Sequence, residues 1–186
     1  MLEIIQNWDT DFLIYLNRLG NKSWYSVWLW ITSTITWTPL FILIIFLLFK
    51  TFHKRQAFLV FIYMLFAALV NVALMLTIKF IVERPRPINV PEIKEALYLF
   101  KEASSYGFYS GHASFSFLIA TLSTLLLRKK YRRITWIYLF PVFFCYSRIY
   151  FGVHYISDIL VGAAVGIAIA VFANKRINTA LHQKVL

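Results

Sequence analysis

Three short stretches of the sequence place ionisable residues at the edges of long apolar runs. In chain order they are Lys79-x6-Arg86-Pro87, Ser110-Gly111-His112 and Ser147-Arg148-x5-His154-x3-Asp158. Charge at or inside a membrane boundary is costly unless it is paired or functional. These stretches are therefore the places where the chain could do chemistry.

The third stretch pairs a histidine with a carboxylate. If the chain is helical beyond Gly152, His154 and Asp158 lie four residues apart and share a helix face. The carboxylate can then accept a hydrogen bond from one imidazole nitrogen. A His–Asp pair that only stabilises helix packing is the alternative, but it leaves the nearby Arg148 unexplained.

The other two stretches are weaker evidence when each is taken alone. Glycine lets a backbone approach a ligand closely, and the free amides of a helix start bind anions. A lone Ser-Gly-His is nevertheless more often a helix start with an interfacial histidine. Lys79 and Arg86 could equally extend their long side chains to lipid headgroups.

The elements that must position these residues are membrane helices. The chain is 60% hydrophobic, well above the roughly 45–50% of soluble domains. Continuous apolar runs without alternation favour helices over a barrel. We predict an all-α, polytopic bundle forming a single membrane-embedded domain over residues 1–186, with the motifs between 79 and 158. Its five expected spans are about Trp24–Phe49, Gln56–Val82, Ser110–Leu127, Ile134–Ser147 and Tyr155–Ala173.

Charge predicts the orientation of this bundle. Basic residues follow the first, third and fifth runs, and if these loops share one side it holds eleven Lys/Arg and no acid. Because positive residues mark the cytoplasmic face, we expect the N-terminus outside and the C-terminus inside. The net charge of +11 is then a feature of topology and argues against nucleic-acid binding. Contact of the basic loops with anionic lipids is compatible with the same orientation.

Two shorter helices are expected outside the spans. An N-terminal interfacial helix should end at Gly20, with Asp9 and Asp11 off its apolar face. That face comprises Ile5, Trp8, Phe12, Tyr15, Leu16 and Leu19. Between the second and third spans, Pro91 could open a short amphipathic helix, as a lid over a lipid site or as a plain connector.

The expected topology brings the three stretches to one depth on the outer side. Basic groups, helix-start amides, two histidines and one carboxylate describe a pocket for a phosphoryl group between facing helices. The stretches lack the carboxylate cluster that Mg²⁺ prefers, so no metal or other cofactor is expected. His53 and His182 fall on the inner side and are interpreted as ordinary surface residues.

The same residues resemble the motifs of the type 2 phosphatidic acid phosphatases, a family of membrane phosphatases related to vanadium haloperoxidases. That family carries Lys-x6-Arg-Pro, Pro-Ser-Gly-His and Ser-Arg-x5-His-x3-Asp, in the order found here. The resemblance covers roughly residues 67 to 173. One position departs, because Tyr109 stands where the family usually has proline.

The resemblance implies a role for each residue. His154 would attack phosphorus and form a phosphohistidine, and Asp158 would hold its tautomer. His112 would protonate the leaving oxygen and then activate water. The phosphoryl oxygens would be bound by Lys79, Arg86, Arg148, the Ser110 hydroxyl and the amides of Ser110 and Gly111. Ser147 would support Arg148.

We therefore expect metal-independent hydrolysis of a lipid phosphate or diphosphate at the outer face of a bacterial inner membrane. Undecaprenyl diphosphate is the favoured substrate, with lipid A 1-phosphate, phosphatidylglycerol phosphate and phosphatidic acid as alternatives. A phospholipid-binding or transport protein without turnover is a competing class, against which the intact His112, His154 and Asp158 argue. Haloperoxidase chemistry with bound vanadate is another, and the membrane spans argue against it.

Overall fold

The computed structural model describes residues 2–183, with side chains for residues 7–182, and all regular elements in that range are helical. The α-helices are α1 Leu2–Arg18, α2 Tyr25–Ile31, α3 Thr38–Thr51, α4 Lys54–Val82, α5 Pro91–Ala96, α6 Gly111–Leu127, α7 Leu139–Tyr150 and α8 Ile156–Gln183. Four 3-10 turns lie at Lys22–Trp24, Thr34–Trp37, Pro87–Asn89 and Arg132–Tyr138. The expected all-α class is confirmed for this part of the chain.

Three helical stretches within residues 2–183 are long and apolar enough to cross a bilayer. They are Thr34–Thr51, Lys54–Asn89 and Ile156–His182. A spanning helix needs about 20 residues, whereas α6 has 17 and α7 has 12. The structure thus supports three spans, and the crossing of the membrane by α6 and α7 stays a prediction.

Two predicted runs differ from the helices that form. The run from Trp24 to Phe49 is divided, because the hydroxyl-rich Thr32-Ser33-Thr34 segment competes for backbone hydrogen bonds after α2. Thr36 Oγ1 donates to the carbonyl of Trp30 at 2.6 Å and so satisfies the end of α2. The run from Ile134 begins as a 3-10 turn and becomes α-helical only at Leu139.

The start of α6 is fixed by its close approach to α8. A Cβ added at Gly162 would lie 2.5 Å from the carbonyl oxygen of Ser110, and one at Gly166 would lie 2.1 Å from that of Ser114. Small residues allow such backbone contact between membrane helices. The two helices therefore bring Ser110 and its neighbours beside the beginning of α8.

Helix α1 contacts the bundle through one narrow side that carries two polar residues and one leucine. Asp9, Leu13 and Asn17 recur every four residues and are buried, whereas Trp8 and Tyr15 are each 59% exposed. The side chain of Asn17 donates to the carbonyls of residues 99 and 150 at 2.6 and 2.8 Å. The apolar face is left outward, as an interfacial helix requires, although the Ile5 side chain lies outside the described residues.

Candidate active site

His154 and Asp158 come together at the turn between α7 and α8. Nδ1 of His154 lies 3.3 Å from Oδ2 of Asp158, and both side chains are buried. The expectation of a shared helix face is corrected in one respect, because His154 precedes α8, which begins at Ile156. The backbone reverses through Gly152 at φ +60, so the loop and the first turn of α8 form the pair together.

The hydrogen bonds of Asp158 assign the tautomer of His154. An ionised carboxylate only accepts, so the contact with Asp158 places the proton of neutral His154 on Nδ1. Nε2 then carries the lone pair, and it lies 3.1 Å from Nη1 of Arg86, which donates to it. Nε2, the nitrogen that the predicted nucleophile role of His154 would use, thus faces a cation.

Arg86 is held firmly in this position. Its Nε donates to the Ser105 carbonyl at 2.6 Å, its Nη2 to the Ser105 hydroxyl at 2.8 Å, and its Nη1 to the Val153 carbonyl at 3.0 Å. The guanidinium therefore connects the segment before α6 to the loop that carries His154.

Lys79, the other cation of the first stretch, binds the same segment. Its ammonium donates to the carbonyl oxygens of Tyr106 and Gly107, the latter at 3.3 Å. In this structure Lys79 orders the residues that lead into α6, and it would have to exchange a carbonyl for a phosphoryl oxygen to act as predicted.

Arg148 and His112 share a cavity of about 560 Å³ that also contacts Thr32, Ser33, Lys101 and Glu102. Nη1 of Arg148 donates to Thr32 Oγ1 at 2.6 Å, while its buried Nε has no partner among the described residues. A buried donor without a partner costs about 1–3 kcal/mol. A bound phosphoryl oxygen could satisfy it, so this cavity is the best candidate for the phosphate site.

Ser110 is not among the residues that line this cavity. Its amide donates to the Asp158 carbonyl at 3.0 Å, and its hydroxyl accepts weakly from the Ala113 amide at 3.4 Å. Ser110 is fully buried. The contact of this hydroxyl and amide with phosphate stays a prediction, and in this structure both groups cap and anchor the start of α6. Gly111 follows at the first turn, where a Cβ would meet Met75 at 3.4 Å.

Burial and nearby cations keep His154 neutral. The surrounding protein, followed by the charges of Arg86, Arg148, Lys79 and Arg84, holds the pKa of His154 well below its ordinary range. Each of these cations disfavours the imidazolium form. An unprotonated imidazole is the form that a nucleophile requires.

The two remaining histidines lie away from the motif residues. His53 and His182 are exposed near the ends of α4 and α8 that lie away from the motifs. Tyr109, the departure from the family pattern, is only 2% exposed.

Within the part of the chain that the structure describes, no group of three or more His, Cys, Asp or Glu could hold a metal. The metal-free reaction stays a prediction.

Three side chains that support the site were not predicted as site residues from the sequence: Thr32, Arg84 and Asp9. Thr32 accepts from Arg148 and also from the Ser147 hydroxyl at 2.9 Å. Arg84 donates to both Asp9 and Asp158. The spacing of Asp9, Leu13 and Asn17 every four residues could have indicated a buried face on α1, but the broader apolar face dominates the pattern.

An all-helical membrane bundle that carries a His–Asp pair beside a basic, polar cavity has the architecture of a membrane phosphatase. The family model of the PAP2 superfamily matches residues 56–181. The chain therefore belongs to the PAP2 superfamily, which confirms the resemblance inferred from its motifs. It is an enzyme of the lipid phosphatase class and an integral membrane protein.

Two curated relatives agree with this assignment. The chain is 31% identical over 185 residues to a lipid A 4'-phosphatase of Bacteroides thetaiotaomicron, covering 89% of this chain and 75% of the relative. It is 28% identical to a lipid A 4'-phosphatase of Porphyromonas gingivalis, covering 94% of this chain and 75% of that protein.

The fold has experimentally determined counterparts. The crystal structure of a transmembrane PAP2-type phosphatidylglycerolphosphate phosphatase from Bacillus subtilis matches with a TM-score of 0.73 at 21% identity, covering 95% of this chain and 87% of that one. LpxE from Aquifex aeolicus matches with a TM-score of 0.67 at 24% identity, covering 89% and 93%. These likenesses establish the shared fold.

Proposed function

We propose that this PAP2 phosphatase removes a phosphate monoester from a lipid A-type glycolipid. The observation that carries the proposal is the cavity beside His112 and Arg148. It measures about 560 Å³, whereas a water molecule occupies about 30 Å³ of liquid, so a phosphoryl group and an attached sugar both have room. Hydroxyls of Thr32 and Ser33 and the charges of Lys101 and Glu102 suit a polar headgroup.

The relatives support this choice of substrate. Both curated relatives are lipid A 4'-phosphatases. Undecaprenyl diphosphate, which the sequence alone favoured, has no counterpart among them and becomes the leading alternative in the test. Lipid A 1-phosphate was among the sequence-based alternatives, so the position of the phosphate on the sugar is itself a measurable outcome.

The first chemical step is transfer of the phosphoryl group to the enzyme. Nε2 of His154 attacks phosphorus as the bond from phosphorus to the lipid oxygen breaks, and His112 gives a proton to that oxygen. Asp158 accepts the Nδ1 hydrogen bond of His154 at 3.3 Å and stabilises the positive charge that develops on the ring. Arg148 and Arg86 bind the phosphoryl oxygens.

The second step releases phosphate. His112, now neutral, removes a proton from water as the water oxygen attacks phosphorus, and the bond from phosphorus to Nε2 breaks. His154 returns to its neutral form with the proton on Nδ1. The cycle needs no metal, and the cations already present neutralise the oxygens.

We place the reaction at the outer face of a bacterial inner membrane. The support is the charge pattern, since the ends of α3, α6 and α8 remote from the site carry basic residues and the motif-bearing side carries the acids. A headgroup site at one depth suits a substrate whose acyl chains stay in the bilayer.

A substrate panel tests the proposal. Purified protein in mixed micelles with EDTA should release phosphate from lipid A with a higher kcat/KM than from undecaprenyl diphosphate, phosphatidylglycerol phosphate or phosphatidic acid. Mass spectrometry of the product would identify the position hydrolysed, with identically prepared His154→Ala protein as the blank. Preference for another lipid would refute the lipid A assignment, and strict dependence on Mg²⁺ would refute the metal-free mechanism.

A further inference from the structure

Arg84 lies between two buried carboxylates that come from opposite ends of the sequence. Its Nη2 is 3.0 Å from Oδ2 of Asp9, and its Nη1 is 2.8 Å from Oδ1 of Asp158. Asp9 is 2% exposed and Asp158 is fully buried. The guanidinium also stacks over Tyr155, 3.9 Å from the centre of its ring. One planar cation thus links α1 to the carboxylate that pairs with His154.

Asp9 is bound on both of its oxygens. Oδ1 accepts from the Ser157 amide at 2.9 Å, and Oδ2 accepts from the Ser157 hydroxyl as well as from Arg84. Nη1 of Arg84 also donates to Ser157 Oγ at 2.8 Å. Asp9, Ser157 and Arg84 therefore form a closed set of hydrogen bonds at the first turn of α8, adjacent in sequence to Asp158.

These contacts determine how Asp158 is turned. Its Oδ2 faces Nδ1 of His154 and the Tyr155 amide, at 3.3 and 3.1 Å, while Arg84 occupies Oδ1. With Arg84 bound to one oxygen, the other is directed at the histidine. Asp9 offsets part of the Arg84 charge, which would otherwise act on Asp158 alone and weaken its interaction with His154.

We propose that Asp9 and Arg84 are positioning residues for the nucleophile, so that α1 is a working part of the active site and not only a membrane anchor. The inference rests on the proposed role of His154. Asp9 lies outside the residues matched by the family model, which begin at 56. Each of the four groups orients the next: Asp9 holds Arg84, Arg84 holds Asp158, and Asp158 orients His154.

Matched substitutions on α1 test this role. Asp9→Asn keeps the shape of the side chain and removes its charge, and Asp11→Asn makes the same change at an exposed position of the same helix. We expect kcat to fall roughly 10–100-fold for Asp9→Asn, since small misplacements of reacting groups cost up to about 10²-fold. KM should change less than about twofold, because Asp9 and Arg84 do not line the cavity. Asp11→Asn should match wild type.

Arg84→Lys tests the contact of one guanidinium with both Asp9 and Asp158. A single ammonium cannot reproduce the two-sided contact of a guanidinium, so this variant should lose kcat as Asp9→Asn does. If Asp9→Asn protein fails to elute as a single folded species, Ser157→Ala removes two of the same hydrogen bonds with little change in volume and should lower kcat several-fold.

A measurement independent of turnover separates this proposal from the proposed function. ¹⁵N chemical shifts of histidine-labelled protein report the tautomer of His154, which should be protonated on Nδ1 in wild type and in Asp11→Asn. Asp9→Asn and Arg84→Lys should give a mixture of tautomers. Unchanged kcat or an unchanged tautomer in folded Asp9→Asn protein overturns the positioning role. Inactive wild-type protein with the expected tautomer pattern would refute only the proposed function.

Discussion

Nη1 of Arg86 lies 3.1 Å from Nε2 of His154, so a cationic donor covers the lone pair of the proposed nucleophile before substrate arrives. The same guanidinium is fixed by Ser105 and Val153. A phosphoryl oxygen is a stronger acceptor than a neutral imidazole. Substrate would therefore draw the Arg86 donor to itself and free Nε2 at the moment when phosphorus comes within reach.

His154 should carry the phosphoryl group during turnover. His154→Ala is expected to lower kcat by on the order of 10⁶-fold, as loss of a nucleophile does in another hydrolase. An acid-labile ³²P label should be trapped on wild-type protein and on His182→Ala, which removes an exposed histidine near the far end of α8. Label of the same lability on His154→Ala protein would overturn the assignment.

The activity should persist in mild acid. Because burial and cations hold the pKa of His154 well below its ordinary range, the ring stays neutral as pH falls through about 6.5. The acid limb of the pH profile of kcat/KM should then lie below about pH 6.5, the ordinary pKa of histidine. Among the nearby cations, Arg86 lowers the pKa of His154 the most. Arg86→Gln should therefore raise this pKa and move the acid limb to higher pH.

The comparison is made on kcat/KM between about pH 4 and 8. Ionisation of the substrate is common to all variants and cancels. Arg133→Gln, at an exposed position before α7, is the control and should keep the wild-type profile. An acid limb that stays in place or moves to lower pH in Arg86→Gln would contradict the assignment.

The Thr32 hydroxyl should matter for phosphate binding. It accepts from Arg148 at 2.6 Å and from Ser147 at 2.9 Å. Thr32→Val keeps the shape but removes the acceptor, and a hydrogen bond to a charged group contributes about 1.5–3 kcal/mol. We expect kcat/KM to fall at least about tenfold, while Thr32→Ser stays close to wild type. Equal losses in both variants would point to packing instead of the hydroxyl.

The contact between α6 and α8 should not tolerate one added methyl group. A Cβ at position 166 would lie 2.1 Å from the Ser114 carbonyl oxygen, so Gly166→Ala should destabilise the protein by about 1–3 kcal/mol. Its thermal unfolding midpoint in detergent should fall, and activity should fall with it because the helix carrying His112 shifts. Ala168→Ser, at an exposed position of α8, is the control. An unchanged midpoint for Gly166→Ala would refute this packing.

Thiol labelling should reveal the orientation. The only natural cysteine, Cys145, is buried, so introduced thiols can be labelled selectively. Glu95→Cys, exposed on α5, should react with an impermeant maleimide on intact spheroplasts. Lys129→Cys, exposed beyond α6, should react only after permeabilisation. The reverse pattern would place the active site in the cytoplasm.

The sequence alone determined much of the site. Motifs with short spacings, such as Lys-x6-Arg-Pro, can be recognised in the sequence, because residues close in sequence are brought together by one helix or one turn. Hydrophobic runs determined the helical class for the same reason. Even so, the bounds were least accurate around residues 32–38 and 132–139, where local hydrogen bonding decides between 3-10 turns and α-helix.

Only the tertiary structure decided which long-range partners complete the site. The Ser157 amide meets Asp9 across 148 residues of sequence and Arg148 meets Thr32 across 116. Hydrophobic periodicity does not predict such pairs, since they depend on how α1 and α2 pack against the ends of α7 and α8. Ser110 gives a similar case, because its motif predicts a phosphate contact but does not indicate that its amide donates to the Asp158 carbonyl where α6 packs on α8. The motifs thus predict the chemistry, and helix packing determines which side chains hold the motif residues in place.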